Sequence, residues 1–402
     1  MGETVRLKSS VFDVIVLGLG AMGSAAAWQL AKKGRRVLGI DQFSPPHTMG
    51  STHGDSRITR QAIGEGEEYV PLALRSYELW REIEAATGNT LLEATGGLIM
   101  ASPSAGASLH GESQFVEQTV NAAKKFGIAH SLLDAGQIRS RFPQFNLRGD
   151  EQGYYEPSMG YLRPELCVAG QIDLARRHGA EIRTNEKVLE LIPRSGEVIV
   201  RTASGQYTAG QVVVSAGAWI NHLLGNEWSA LFSISRQVLC WFDVRDGIES
   251  FVPSRFPVFI WVFGSEQDDF NYGIPAIDGP NGGVKIGTEQ HRTETDPDTV
   301  DRNVTAAEID EIYRRYVQDR LPGLSPRCIK ASVCLYTTTP GSRFVIDFHP
   351  VQKNLLIVSP CSGHGFKHSA AIGEIVSDLL TFGSSRMDIR PFTLSGNSLR
   401  RV

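Results

Sequence analysis

The stretch VFDVIVLGLGAMGSAAAWQLAKKGRRVLGID, residues 11–41, divides into four parts. Val11–Leu17 is a short apolar run broken only by Asp13, as expected of a strand buried on both faces. Gly18-Leu19-Gly20-Ala21-Met22-Gly23 follows, then an alanine-rich helix to Lys33 that Gly34 stops in the left-handed conformation. Arg36–Ile40 is a second strand, and Asp41 stands at its end. Two strands joined through one helix run parallel. Three glycines in such a window are weak evidence in a chain with 41 of them. The context adds what the glycines lack: a strand before, a helix after, and an acid closing the second strand. Gly18 permits the turn, Gly20 lets backbone approach a pyrophosphate, Gly23 lets helix pack on sheet, and Asp41 can accept from ribose hydroxyls. The pattern predicts a Rossmann-like dinucleotide unit and does not separate NAD from FAD.

Outward from this unit, Ser44–Arg57 is rich in Pro, Gly, His and Ser and reads as irregular. A helix is expected after Pro71, with Leu72, Leu79, Ile83 and Ala86 on one face. Glu112–Phe126 and Pro164–His178 read as two more. Short strands follow at Val188–Ile192, Glu197–Thr202, Gln206–Thr208 and Gln211–Ser215. The stretch from Ser233 to Lys285 is β-like and aromatic. Thr305-Ala306-Ala307-Glu308 is a capping box that opens a helix. Asn354–Val358 reads as a strand, Ser359–Lys367 as a glycine-punctuated loop and Ala370–Leu380 as a helix. These elements predict a mixed α/β fold, in which a nucleotide unit built from both ends of the chain holds an inserted, strand-rich substrate unit.

Composition narrows the function classes. The 402 residues are 41% hydrophobic with a net charge of −4, which excludes a disordered chain. Forty basic residues balance forty-four acidic ones, so neither nucleic acid nor an anionic membrane is an expected partner. Met1–Ser10 carries no apolar signal core, and the following apolar run is too short to span a bilayer. Five irregularly spaced cysteines fit no zinc ribbon or complete disulfide set. A cytoplasmic, reducing compartment and no metal are the expectation.

Four constellations carry possible chemistry. HTMGSTHGDSRITR, residues 47–60, packs His47, His53, Asp55, Arg57 and Arg60 into one segment. Were it to turn helical, both arginines would point inward, where a buried guanidinium binds carboxylates bidentately; alternatively it is a solvated loop paired to Glu65, Glu67 or Glu68. In PCSGHGFK, residues 360–367, a strand ends in a turn exposing backbone N–H groups, which suits an anionic ring edge or carboxylate. Lys367 either stands at that opening or is a surface lysine. Lys285, in GGVKIG, is either edge-strand protection or a fixed positive charge beside a redox cofactor. Cys334, in SVCLY, reads alone as a core cysteine.

Together these segments resemble the monomeric sarcosine oxidase family of flavoprotein amine oxidases, which includes N-methyltryptophan oxidase and pipecolate oxidase. The resemblance runs from Phe12 to about Leu380. PPHTMGSTHGDSRITR (Pro45–Arg60), GEGEEYVPLALRSYELW (Gly64–Trp80), VCLYTTTP (Val333–Pro340) and SGHGFK (Ser362–Lys367) carry it. It implies an FAD-binding domain of the glutathione-reductase/D-amino-acid-oxidase type over residues 1–95, 150–228 and 325–402. An antiparallel-sheet substrate domain would take 96–149 and 229–324. By resemblance, Cys334 binds the flavin 8α-methyl group covalently and Lys285 activates dioxygen beside the ring. Arg57 lies on the flavin side with His53 nearby, and Arg60 and Lys367 hold the substrate carboxylate. Tyr272 and Tyr336 line the substrate pocket, while Ser51, Thr52, Val188, Gly363, His364 and Gly365 contact FAD. The implied reaction is oxidation of a secondary amino acid by O2 to an imine and hydrogen peroxide, in a monomer.

Two departures bear on the substrate. Glu289 stands where sarcosine-type members carry a histidine. It resembles the acid of fructosyl-amine oxidases, which makes a fructosyl amino acid the alternative substrate, or it is a structural acid paired with His291 and Arg292. Cys361 replaces the usual phenylalanine before SGHGFK. An NAD-dependent dehydrogenase on the same opening unit leaves Cys334, Lys285 and SGHGFK unexplained.

Overall fold

The computed structural model describes residues 11–102, 108–109, 112–266, 268–290 and 294–395. Val14, Ile15 and Val16 have no exposed surface, because their strand lies inside a sheet covered on both faces. That strand, Val11–Leu17, pairs parallel with Val37–Ile40 on one side and with Gln206–Val214 on the other. Glu181–Arg183 extends the parallel run beyond Val37–Ile40, and Leu355–Ser359 pairs parallel with Gln206–Val214. Val188–Arg194 and Glu197–Thr202 add an antiparallel excursion, and Val345–Phe348 pairs antiparallel with Leu355–Ser359. The two strands expected at Gln206–Thr208 and Gln211–Ser215 are one. Ala209 is paired with Phe12 on one side and Val198 on the other, which holds the backbone extended through Gly210.

The helix Ala21–Lys32 packs against Pro164–Arg177 and Ser369–Phe382, and its Ala25, Ala26 and Ala27 are wholly buried. In Val70–Thr87, Leu72, Leu79 and Ile83 face the core as expected, but Ala86 is exposed because the last turn runs out past it. The helix expected from Glu112 starts at Phe115; Glu112–Ser113 pairs instead with Ser108–Leu109.

A second eight-stranded sheet takes, in spatial order, Leu324–Thr338, Ser233–Val244, Val284–Gly287, Phe270–Ile274, Val258–Val262, Gly97–Ala101, Gln152–Glu156 and Ser131–Asp134. Its pairings are antiparallel except between Val258–Val262 and Gly97–Ala101. Gln152–Glu156 and Leu324–Thr338 lie almost wholly in ranges that the sequence reading gives to the nucleotide domain, yet both pair into this sheet. Phe145, Phe256, Phe259 and Trp261 build an aromatic core on one of its faces. The capping box at Thr305 is formed in both directions and opens the helix Ala306–Ile312 over that core. All five cysteines are free thiols. Among the described residues no helix is long and apolar enough to cross a membrane.

Candidate active site

Gly18 is a position for glycine alone: its φ is +81°, and a Cβ would lie 2.6 Å from the Ser215 carbonyl oxygen. A Cβ on Gly23 would fall 1.7 Å from the Gly18 oxygen, so the helix can begin this close to the strand only without a side chain there. Gly20 differs. A Cβ there would meet only Thr52 Oγ1, at 3.4 Å, because this glycine lines a cavity. Asp41 accepts from Leu19 N at 2.7 Å and Phe43 N at 2.8 Å, which ties its carboxylate to the same turn.

The cavity, ≈ 410 Å³, joins this turn to the second sheet. Gly18, Gly20, Asp41 and Val188 line it on the nucleotide side; Arg60, Tyr272, Glu289 and Lys367 line it on the other. The segment from His47 to Arg60 links the two. It is not helical: Arg57–Thr59 is a strand, antiparallel to Gly160–Leu162. Arg57 donates to Ser51 O at 2.7 Å and Ser56 O at 2.9 Å. The Ser51 hydroxyl donates to Leu335 O, and Thr52 Oγ1 accepts from Ala21 N at 3.3 Å. One loop thereby stitches the glycine turn of the first sheet to Leu324–Thr338 of the second. Within it His53 is buried, and burial followed by the charges of Arg57 and Lys285 holds its imidazole down to about 3. It is neutral at pH 7, and its Nε2 has no hydrogen-bond partner in the protein among the described residues.

Lys285 is 1% exposed, on a strand flanked by Ser233–Val244 and Phe270–Ile274. The strand is interior to the sheet, so the edge-protection alternative fails. Lys285 Nζ donates to Gly54 O and Ser56 O, each at 2.8 Å, and lies 5.3 Å from the centre of the Trp241 ring. Burial and then Arg57 push this ammonium well below the usual lysine range. Carbonyl dipoles and a ring face support what charge it carries. Behind the same loop, Glu165 Oε1 accepts from Gly54 N at 2.7 Å and Asp55 N at 3.1 Å, while Asp55 pairs with Lys330 at 2.6 Å. Sequence reasoning missed Glu165, since an acid in a helix's first turn is the ordinary response to the helix dipole.

Arg60 is 2% exposed and grips Glu65, with Nη2 2.7 Å from Oε1 and 2.5 Å from Oε2. Its Nη1 donates to Ala62 O at 2.7 Å. The solvated-loop alternative thus has the right partner and the wrong environment. Lys367 is buried too, not a surface lysine: its Nζ donates to His364 O at 2.6 Å and stands 3.9 Å from Glu65 Oε1. Burial pushes its ammonium down to about 7 against the pull of Glu65. His364 Nε2 is held by Ser342 O at 2.9 Å, and Gly363 and Gly365 also line the cavity.

Tyr272 and Tyr336 pack together beside Cys334, and burial raises both hydroxyls. Glu289 is buried against the Ser362–Lys367 turn; a Cβ on Gly363 would come within 2.3 Å of its Oε1. His291 and Arg292, its partners in the structural reading, lie outside the described residues. Cys334 is packed with Leu239, Trp241, Tyr272 and Tyr336. Burial raises its thiol, while Arg57 and Lys285 pull the other way. Cys334, Lys285 and His53 stand behind the cavity wall, in contact with residues that line it.

The family described as FAD dependent oxidoreductase matches residues 13–379. A monomeric sarcosine oxidase from Streptomyces avermitilis is 40% identical over 386 residues, covering 96% of this chain and 97% of that one. An N-methyl-L-tryptophan oxidase from Escherichia coli is 33% identical over 388 residues, covering 96% and 99%. The structure of NikD, an unusual amino acid oxidase essential for nikkomycin biosynthesis, aligns with a TM-score of 0.82 at 26% identity, over 96% of this chain and 98% of that one. With the glycine turn, the acid beside it and the cavity between the sheets, these likenesses place the chain in the family of FAD-dependent oxidoreductases.

Proposed function

We propose that the enzyme oxidises the C–N bond of a secondary amino acid, sarcosine or another N-alkyl amino acid, with O2 as acceptor and hydrogen peroxide as product. One observation carries this reading: Arg60 and Lys367, two buried cations able to take a carboxylate, open into the same cavity as the glycine turn. The residues present fit FAD. Gly20 leaves room for a close backbone approach, Asp41 is held ready at the turn, and buried His53 Nε2 has an unused hydrogen-bonding position. Gly18, Gly20, Gly23, Asp41, Ser51, Thr52, Val188, Gly363, His364 and Gly365 would hold it, with Cys334 attached covalently at the 8α position. When bound, FAD takes two electrons from the substrate and passes them to oxygen.

The chain's own work is orientation and electrostatics. Arg60 and Lys367 hold the substrate carboxylate, which must displace Glu65 from Arg60 to do so. Arg57, Arg60 and Lys367 together disfavour a protonated amine, so the substrate is held with its nitrogen lone pair free. Tyr272 and Tyr336 pack beside it, and Lys285 supplies N–H groups where oxygen is reduced. We take the working form to be a cytoplasmic monomer, with the nucleotide domain drawn from 1–95, 150–228 and 325–402 apart from Gln152–Glu156 and Leu324–Thr338, which go with the second sheet, and the substrate domain in the remaining segments.

Peroxide release is measured with sarcosine, N-methyl-L-tryptophan, L-pipecolate and a fructosyl amino acid, and the protein is then precipitated in acid. Peroxide from an N-alkyl amino acid and a yellow pellet are expected. A colourless pellet refutes the Cys334 attachment, and silence with every N-alkyl amino acid refutes the substrate class. Glu289 keeps the fructosyl amino acid as a second reading, because a buried carboxylate in the pocket can accept from sugar hydroxyls; Glu289→Gln would then abolish that activity selectively.

A further inference from the structure

Two cysteines that this chemistry does not use meet on the face of the second sheet turned away from the cavity. Ser233–Val244 and Leu324–Thr338 pair with Cys240 opposite Ala331, Trp241 opposite Lys330 and Phe242 opposite Cys328. Side chains alternate along a strand. Trp241, with Lys285 and Lys330 at its ring, faces the cavity side, while Cys240 and Phe242 face the aromatic core. The register slips between Trp241 and Phe242. That slip sets Cys328 on the same face as Cys240, and both pack on the same aromatic core. Cys240 is wholly buried; Cys328 is half-buried, with its Sγ 3.0 Å from Lys330 O. The interaction between the two sulfurs pulls the Cys328 thiol down and pushes the Cys240 thiol up. Cys328 is the more exposed of the two and the one peroxide can reach, with Cys240 on the same face behind it.

We propose that Cys240 and Cys328 form a dithiol oxidised to a disulfide by hydrogen peroxide. The Cys328 sulfur attacks one peroxide oxygen, the O–O bond breaks, and Cys328 becomes a sulfenic acid as one water leaves. Cys240 then attacks that sulfur, forming the S–S bond and releasing the sulfenic oxygen as a second water. Two thiols and one peroxide give one disulfide and two waters. The sulfurs lose two electrons, the peroxide gains them, and the thiol protons leave in the waters. The oxidant rests on the reaction proposed above, whose product it is. The bond would staple the strand bearing Cys334 to the strand whose Trp241 is paired with Lys285.

The test uses the whole flavin-loaded enzyme. It is treated with reagent hydrogen peroxide, quenched with an alkylating agent under denaturing conditions, and mapped by peptide mass spectrometry. A Cys240–Cys328 cross-linked peptide that dithiothreitol reverses is expected, with buried Cys167 alkylated as before. In Cys328→Ser, Cys240 should stay fully alkylatable; in Cys240→Ala, Cys328 should proceed to the sulfinic acid. Cys240 fully alkylated after peroxide in the unmutated enzyme, or a cross-link joining other cysteines instead, overturns the proposal. A parallel sample turning over N-alkyl amino acid, with and without catalase, should form the same cross-link only without catalase. A cross-link with reagent peroxide and none during turnover would count against the peroxide-forming function and leave the dithiol standing.

Discussion

Glu65 is the residue whose removal tests the carboxylate clamp most directly. Both its oxygens accept from Arg60 Nη2 and its Oε1 lies 3.9 Å from Lys367 Nζ, so in the proposed reaction a substrate carboxylate must take its place. Glu65→Gln keeps the shape and one acceptor but removes the charge. Two effects of opposite sign follow. A buried cation stripped of its partner costs about 3–5 kcal/mol; with the amide oxygen retained we expect the lower end. For a chain of this length, about 3 kcal/mol corresponds to a fall in Tm of roughly 4 °C. Meanwhile the anion-binding site is vacated. Two unit charges 3.9 Å apart attract by roughly 4 kcal/mol at an effective dielectric of ~20, and a ligand carboxylate no longer has to replace that attraction at Lys367 or face Glu65's repulsion. Discounting heavily for relaxation of Arg60, we expect about 1.4 kcal/mol in favour of the ligand, a tenfold gain in affinity. Methoxyacetate has sarcosine's outline without an oxidisable C–N bond, and its Kd can be read from the flavin absorbance. The expected variant is less stable and binds methoxyacetate about tenfold more tightly. If it is less stable and binds more weakly, Glu65 holds Arg60 in its ligand-binding pose rather than competing for it, and the reasoning is refuted.

Lys367 titrates near 7 inside the protein, against an ordinary value of 10.5. Methoxyacetate affinity should therefore fall as pH rises through about 7. Between those two values the unfolded chain binds the proton and the folded one does not, so Lys367's contribution to stability rises with pH across that window; Lys367→Met should remove both slopes, and slopes that survive it would assign them to other groups. Lys285→Met leaves the carbonyls of Gly54 and Ser56 without their shared donor; stopped-flow should find flavin reoxidation by O2 slowed at least tenfold with anaerobic flavin reduction nearly unchanged, and equal slowing of both would make Lys285 a structural post. Glu165→Ala frees Gly54 N and Asp55 N, which position those carbonyls. The same half-reaction should slow by a smaller factor, with Glu165→Gln restoring part of it; an effect confined to Tm would sink the positioning role.

Elements fixed by local chemistry were legible in the sequence. The residues 11–41 unit, the Thr305 capping box and the last helix depend on periodicity, glycine stops and caps, all of which act over a few residues. Errors gathered where distant strands decide. Ala209 looked like a break and is paired from both sides; an edge position was one of two open readings for Lys285, which lies inside an eight-stranded sheet. For Arg57 and Arg60 the sequence left a helical turn and a solvated loop open, and pairing with Gly160–Leu162 makes the chain there extended instead. The site residues themselves were named from the resemblance, since neither a lone lysine nor a lone cysteine announces its role. Glu65 was visible only as a surface partner for arginine, because sequence does not report that both groups are buried.

The burial of the site's cations has a common physical basis. Arg57 and Lys285 are both placed to donate to backbone carbonyls of the segment Ser51–Ser56, a part of the chain too irregular to use those oxygens in a ladder. The irregular loop and the buried cations are therefore one device: the loop needs donors, and the cations need dipoles in place of water. Carbonyl dipoles hold a charge without neutralising it, unlike the Glu65 carboxylate on Arg60. Arg57 keeps its field for whatever anionic or electron-accepting group enters the cavity, and the same loop holds the Lys285 N–H groups in place, whereas the field of Arg60 is released only when a second carboxylate displaces the first. In the proposed reaction the oxygen-reducing side of the site is thus held by the loop and the substrate side is set by exchange, which places specificity at Glu65, Lys367 and Glu289 rather than at the cofactor.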